Sequence, residues 1–242
     1  LLLGTSLLGG GTAVLNQLLE RESDGKMNRT RNRPLPSGRL RAFQAMIFGS
    51  VLIVVGTLYL GIFTHPLSAL LGCSTAAIYL LIYTPLKTRT TICTTVGAIP
   101  GALPPLIGWA AVSGELNFHA LILFAILFSW QYPHFLAISW IYKEDYMRGG
   151  AVMLPLFDPD GKRTTRHIVI FSIILLILSI IPATSGLSGK IYLVGAILLG
   201  VMFLGFGVGA AFSRSTSSAR YVLRASVVYL PLLLILMIVD KV

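Results

Sequence analysis

Long apolar runs separated by short polar stretches make up most of the chain. They lie at roughly residues 1–18, 42–63, 66–84, 96–112, 118–140, 167–185, 191–212 and 220–239. Each approaches the ~20 residues that a helix needs to cross a bilayer, and none alternates apolar with polar as a membrane strand does. Hydrocarbon offers backbone groups no water, so continuous runs of this length must be helices. The pattern predicts an all-α fold, a polytopic membrane helical bundle of eight transmembrane helices, as a single domain over 1–242. The chain opens at Leu1 inside an apolar run, with no Met or basic flank, which predicts that sequence has been lost ahead of it.

Breakers refine these helices. The fourth run holds Gly97, Pro100, Gly101, Pro104 and Pro105, so a kinked or broken helix is expected there. Pro85 is expected to end the third helix. The last three runs carry no intramembrane charge, and their small residues, including Gly205 and Gly209, suit close helix packing. Cys73 and Cys93 have no metal-ligand or disulfide spacing and read as packing residues.

Composition agrees with this picture: 55% of residues are hydrophobic, 12% are charged, and the mean hydropathy is +0.81. Charge adds direction to it. If 16–41 lies inside, alternation places 85–95, 141–166 and 213–224 on the same side, and these four regions hold seventeen of the nineteen Lys and Arg. Such an asymmetry orients the chain by the positive-inside rule. The net charge of +10 is then a topology signal and an attraction to the lipid bilayer, and no nucleic acid is implied.

The polar stretches carry the chemistry. Asn16, Glu20 and Asp24 are spaced by four, so a helix continuing from the first run puts them within an arc of about 80°. Oxygen ligands in that arrangement suit Mg²⁺, which shares its shell with phosphate oxygens and water. Lys26, Arg29 and Arg33 follow, and Lys87 and Arg89 stand on the next inner loop after Tyr83. A second acidic group, Glu144 and Asp145, lies at the inner end of the fifth helix, with Arg148 beyond it. His134 falls ten residues before Glu144, about 15 Å deeper in a continuous helix. A histidine at that depth needs a cavity or a partner, and a satisfied buried histidine is the plain alternative. Two carboxylate groups with a basic rim on one face fit a Mg²⁺-bound diphosphate better than ion transport, which needs polar groups near the midplane.

Four stretches, N-Q-L-L-E-R-E-S-D-G-K-M-N-R-T-R-N-R-P-L-P-S-G from Asn16, Y-T-P-L-K from Tyr83, W-Q-Y-P-H-F from Trp130 and E-D-Y-M-R-G-G-A-V-M-L-P from Glu144, resemble the UbiA-type intramembrane prenyltransferases, in that family's order. The resemblance implies a bundle of nine helices, one of them ahead of Leu1. It implies transfer of a farnesyl group from farnesyl diphosphate to a vinyl group of heme B, giving heme O and diphosphate on the way to the heme A of cytochrome oxidase. Heme B is then a substrate rather than a cofactor, Mg²⁺ is bound with the diphosphate, and a downstream heme-modifying enzyme is an implied partner.

Asn16, Glu20 and Asp24 occupy the family's first aspartate-rich motif, with Glu20 where many members have Asp. Together with Glu144 and Asp145 they are the implied catalytic and metal-binding residues. In the second motif Gly149 replaces the aspartate often found four residues after the first, which leaves Glu144 and Asp145 as its only carboxylates. Lys26, Arg29, Arg33, Lys87, Arg89 and Arg148 would hold diphosphate, and Tyr83 and His134 would face substrate. Tyr79, Trp130, Tyr132 and Phe135 are further candidates for walls around an allylic cation. Two other readings compete: a prenyltransferase with an aromatic quinone-precursor acceptor, and a non-enzymatic transporter or assembly protein. Short loops favour a bacterial plasma (inner) membrane with the site on its cytoplasmic side, and a mitochondrial inner membrane fits the same residues.

Overall fold

The computed structural model describes all 242 residues, Leu1–Val242. The eight apolar runs become helical spans at Leu2–Leu19, Ala42–Phe63, Pro66–Leu86, Cys93–Ser113, Phe118–Ile141, Lys162–Thr184, Lys190–Ser213 and Thr216–Val239. We number the helices α1 (Leu2–Leu19), α2 (Arg21–Lys26), α3 (Ala42–Phe63), α4 (Pro66–Ala77), α5 (Thr84–Leu86), α6 (Cys93–Ala102), α7 (Pro104–Ser113), α8 (Phe118–Ile141), α9 (Lys143–Arg148), α10 (Lys162–Thr184), α11 (Lys190–Ser213) and α12 (Thr216–Val239). Many large side chains, including Phe43, Phe48, Leu58, Ile62, Leu198 and Ile238, are exposed. On a water-soluble protein that apolar surface would drive aggregation, whereas hydrocarbon accepts it. This is an integral membrane protein.

The chain forms two compact units. One comprises residues 1–116 and returns for 144–153; the other comprises 117–143 and 154–242.

In the first unit α1 lies against α3 along a seam of glycines. A Cβ placed on Gly11 would sit 2.6 Å from the Gly49 carbonyl oxygen, and one on Gly56 would sit 2.6 Å from the Leu8 nitrogen. Only hydrogen lets these backbones approach so closely, which is how helices associate when apolar burial offers no advantage over lipid. The fourth span is broken as expected, into α6 and α7 on either side of Leu103, with Pro104 opening the second piece.

The third span departs from expectation. It does not stop at Pro85. Residues Ile78–Tyr83 widen into a π turn, and the helix resumes as α5. Pro85 has no N–H and crowds the carbonyl four residues back. The wider turn accommodates it: both the amide and the hydroxyl of Thr84 donate to the Tyr79 carbonyl, five residues back.

In the second unit α8, α10, α11 and α12 enclose a core of Ile126, Leu136, Ile168, Leu175, Phe203, Tyr229 and their neighbours. Two expectations fail elsewhere in the chain. A Cβ on Gly205 or Gly209 would meet nothing within 4 Å, so these glycines do not pack. Cys73 faces outward, while Cys93 is fully buried, its thiol directed at the Val152 carbonyl at 3.6 Å.

Candidate functional site

Helix α1 ends at Leu19, yet the hydrogen-bond rhythm carries on through the corner. Glu20 N–H donates to the Asn16 carbonyl and Asp24 N–H to the Glu20 carbonyl. The spacing by four thus survives into α2, and the three polar side chains stay in sequence at one end of the unit.

Each meets a partner. The Asn16 amide nitrogen donates to Thr84 Oγ1 at 3.1 Å. Glu20 receives Lys87 Nζ on both carboxylate oxygens, at 3.0 and 3.2 Å. Asp24 Oδ2 accepts from Arg33 at 2.8 Å, and Asp24 is only 1% exposed. A carboxylate this buried is costly without a counter-charge, so the cations are held here by the acids themselves. Burial pulls the Lys87 ammonium toward neutrality, but the Glu20 carboxylate more than offsets this, and Lys87 titrates above the ordinary lysine range. Lys87 also lies 5.9 Å from the centroid of the Tyr146 ring.

The segment 144–153 braces the same loops. Asp145 accepts the backbone N–H groups of Asn28 and Arg29 at 3.1 and 3.4 Å, and the Arg148 guanidinium at 2.6 Å. The Arg148 hydrogen bond, opposed by partial burial and helped by the two amides, holds the Asp145 carboxyl below its usual range. Ser23 donates to the Gly149 carbonyl at 2.5 Å, and Val152 N–H donates to the Lys87 carbonyl at 2.7 Å. The strands of loop carrying Asp24 and Lys87 are therefore tied to one short segment.

Beside the acidic ladder lies a cavity of about 350 Å³, within the range of small-molecule sites. Asn16, Gln17 and Arg33 lie along it together with the apolar Leu8, Ala13 and Pro100 and the ring of Tyr79. Apart from Thr12 and Thr75, whose hydroxyls bond carbonyls of their own helices, the rest of the lining is apolar or aromatic. That mixed lining suits an amphiphile with an anionic head.

The expected site residues divide accordingly. Asn16, Glu20, Asp24, Arg33, Lys87, Asp145 and Arg148 all lie in the first unit and each is bonded, in four sets: Asn16 with Thr84, Glu20 with Lys87, Asp24 with Arg33, and Asp145 with Arg148. Lys26, Arg29 and Arg89 are exposed on the same loops, and Glu144 is exposed, turned away from the buried Asp145 beside it. Tyr83 packs its ring on Gly97, where an added Cβ would lie 2.7 Å away. The remaining candidates lie in the second unit. His134 is half-buried, with Nδ1 2.8 Å from the Ser226 hydroxyl and its ring 4.8 Å from that of Trp130. Trp130 donates to the Ser226 carbonyl, Tyr132 stacks on Phe171, and Phe135 is exposed. Sequence reasoning overlooked Thr84, Ser23 and Tyr146. All three stand inside the quoted stretches, but a contact across 59 residues or more leaves no trace in spacing.

A match to the UbiA prenyltransferase family covers residues 1–230. The chain belongs to the UbiA prenyltransferase family. It is 54% identical over 240 residues to the protoheme IX farnesyltransferase of Solibacter usitatus, an alignment covering 99% of this chain and 82% of that one. The protoheme IX farnesyltransferase of Koribacter versatilis is 43% identical over 247 residues, covering 99% and 80%. Among solved structures, one from a study of digeranylgeranylglyceryl phosphate synthase in membranes matches with a TM-score of 0.75 at 19% identity, covering 97% of this chain and 81% of that one. The apo structure of a UbiA homolog from Aeropyrum pernix K1 matches with a TM-score of 0.69 at 16% identity, covering 96% and 86%. These two establish the shared fold.

The donor chemistry of the cluster suits a hard divalent cation. Asn16 spends its nitrogen on Thr84 and keeps its carbonyl oxygen, and Asp24 spends one carboxylate oxygen on Arg33 and keeps the other. Nowhere do three acidic, histidine or cysteine side chains converge as a protein-only metal cage would require. These two oxygens could supply only part of the shell of such a cation, the rest coming from phosphate oxygens and water.

Proposed function

We infer that this chain transfers a farnesyl group from farnesyl diphosphate to a vinyl group of heme B, forming heme O and diphosphate. The observation carrying this is 54% identity, over 99% of the chain, to a relative named for that reaction. The bonded cluster beside an apolar cavity supports it by offering one end for diphosphate and another for an isoprenoid chain.

We assign the diphosphate to the cluster in the first unit, with Asn16 and Asp24 as the residues that would hold Mg²⁺. Bound there, Mg²⁺ would supply neutralisation of charge on the leaving diphosphate. Arg33 and Lys87 lie within 2.8 and 3.0 Å of the carboxylates they neutralise, so each needs only a change of partner to bind phosphate oxygen. Asp145 holds the loop by its backbone and Arg148 lies next to it. Cleavage of the allylic C–O bond leaves the electron pair on diphosphate. The vinyl group of heme then attacks the farnesyl cation, and water adds to the new cation with loss of a proton, giving the hydroxyethylfarnesyl product. Tyr79, in the cavity wall, is the aromatic residue that would stabilise that cation. His134 is assigned to the porphyrin. We further propose that the two units act as one prenyltransferase domain, that the site opens to the cytoplasmic side of a bacterial plasma membrane, and that product passes to a heme-modifying enzyme.

The test is expression of the full-length protein in a host lacking this activity, followed by mass analysis of extracted heme. A farnesylated, hydrated heme is expected. Unchanged heme B together with a prenylated aromatic acid would overturn the choice of acceptor.

A further inference from the structure

We propose that a groove between the inner ends of α11 and α12 binds an anionic phospholipid, with an acyl chain against Gly205 and Gly209 and the phosphate at Ser213, Arg214 and Ser217. The groove lies wholly within the second unit and encloses about 350 Å³. The proposal does not depend on the farnesyl-transfer reading.

The apolar part has a shape that close packing does not explain. On the same helix, a Cβ at Gly200 would collide with Leu176 and one at Gly207 would touch Ile168 at 3.4 Å, so those glycines seat α10. Gly205 and Gly209 face the other way, onto open space. Their missing side chains deepen a channel edged by Phe206 and Tyr221, whose rings stack on one another with centroids 6.4 Å apart and 14° from parallel. Both aromatic residues are exposed. A narrow channel floored by glycine and edged by this ring pair suits an extended hydrocarbon chain.

The polar end supplies the headgroup chemistry. Ser215 and Ser218 hydrogen-bond one another in capping α12. The hydroxyls of Ser213 and Ser217, also on the groove, are exposed and engage no protein group, so both remain available as donors. Between them in sequence stands Arg214, exposed, with φ 43° and ψ 43°. An arginine in the left-handed region is strained where glycine would be at ease. Its Nε donates to the Ala211 carbonyl at 3.1 Å, and its terminal nitrogens make no hydrogen bond or ion pair within the protein. Arg220 and Arg224 are exposed on the following turns, and the chain has no Asp or Glu between Asp160 and Asp240. Every charge that α11 and α12 carry around their junction is positive, so a phosphate-bearing headgroup is favoured over a neutral one. A soluble phosphate would use the arginine but leave the channel without purpose.

The full chain in detergent would be loaded with phosphatidylglycerol or phosphatidylcholine and the retained lipid counted by native mass spectrometry. Selective retention of phosphatidylglycerol is expected. Filling the channel with Gly209→Leu or Gly205→Leu should abolish retention, while the unfolding temperature in lipid-free detergent stays unchanged because both positions face open space. Arg214→Gly should weaken retention about five-fold, the ratio for one cation near an anionic headgroup, and should raise the unfolding temperature by relieving the backbone. Equal retention of phosphatidylcholine, retention unaffected by these variants, or displacement of the lipid by millimolar inorganic phosphate would each overturn the proposal.

Discussion

Glu20 and Asp24 on one side, and Asp145 on the other, are carboxylates of the same first unit, yet they are neutralised in different ways. Glu20 and Asp24 rely on the side-chain cations of Lys87 and Arg33. Asp145 is held by two backbone amides and by Arg148, three residues along its own helix. A side-chain ion pair can exchange partners when a competing anion or metal arrives, because both ends swing about single bonds. A carboxylate anchored to backbone amides cannot move without moving the loop. The first arrangement suits binding, the second suits positioning, and the residue type alone does not distinguish them.

Substitution at Asp24 should break this contrast most completely. On the proposed assignment of Asp24 as a metal ligand, Asp24→Ala is expected to cut heme O formation by at least ~10³-fold, because neutralisation of the leaving group is lost with the ligand. Folded yield should be little changed, since the stranded Arg33 side chain is 35% exposed; size-exclusion and extracted-heme analysis would read the two effects. Next in size is Lys87→Ala. The pair it breaks has side chains only 15% and 11% exposed, so Glu20 would be left nearly buried and unpaired, at about 3 kcal/mol of stability. The double variant Lys87→Ala/Glu20→Ala should recover much of that loss, and a double-mutant cycle on unfolding in detergent measures the coupling.

Asp145→Asn sharpens the comparison from the other side. It should lower the unfolding temperature and raise KM for farnesyl diphosphate about ten-fold, while leaving the Mg²⁺ concentration needed for half-maximal rate unchanged. A shifted Mg²⁺ requirement would make Asp145 a ligand. The pH dependence follows from the same bonds. Asp145 is depressed in the folded state, so its contribution is complete above the ordinary carboxylate value near 3.8 and is lost as pH falls through its lower folded value. Lys87 is raised, so its contribution persists up to the ordinary lysine value of 10.5 and is lost only as pH climbs through its folded value. Unfolding followed from pH 2 to 6 should show an acid limb that Asp145→Asn weakens. The smallest effect belongs to Glu144→Ala. With an exposed carboxylate and no bonded partner, it should shift stability by less than about 0.5 kcal/mol, and heme O formation should remain near the starting rate.

The spans were legible because hydrocarbon leaves only one way to satisfy a backbone, so twenty apolar residues carry nearly the whole message. The break at Leu103 and the ladder of Asn16, Glu20 and Asp24 were legible for similar reasons, as proline chemistry and helical periodicity are local. What hid was everything set by non-local approach. Gly11 and Gly56 are indistinguishable by type from Gly205 and Gly209, yet the first two meet backbone at 2.6 Å and the others meet nothing. Glu144 and Asp145 are neighbours of like charge, and only the position of Asn28 and Arg29 across more than a hundred residues decides which one is used. Pro85 was seen as a stop because its local effect is to break a helix, whereas the chain around it had another remedy.

That remedy has a consequence for how such a site arises and how it can be lost. A π turn holds one more residue than the α-helical turn it replaces, so everything beyond Tyr83 is rotated by about 100° relative to an unwidened helix. Lys87 reaches Glu20 only in this phase. A single-codon deletion at Ile78, Leu80, Leu81 or Ile82 would spare every named side chain of the site and leave eight transmembrane spans, yet turn the lysine away from its acid. The vulnerability of this site to indels is therefore concentrated in four apolar residues that carry no charge at all.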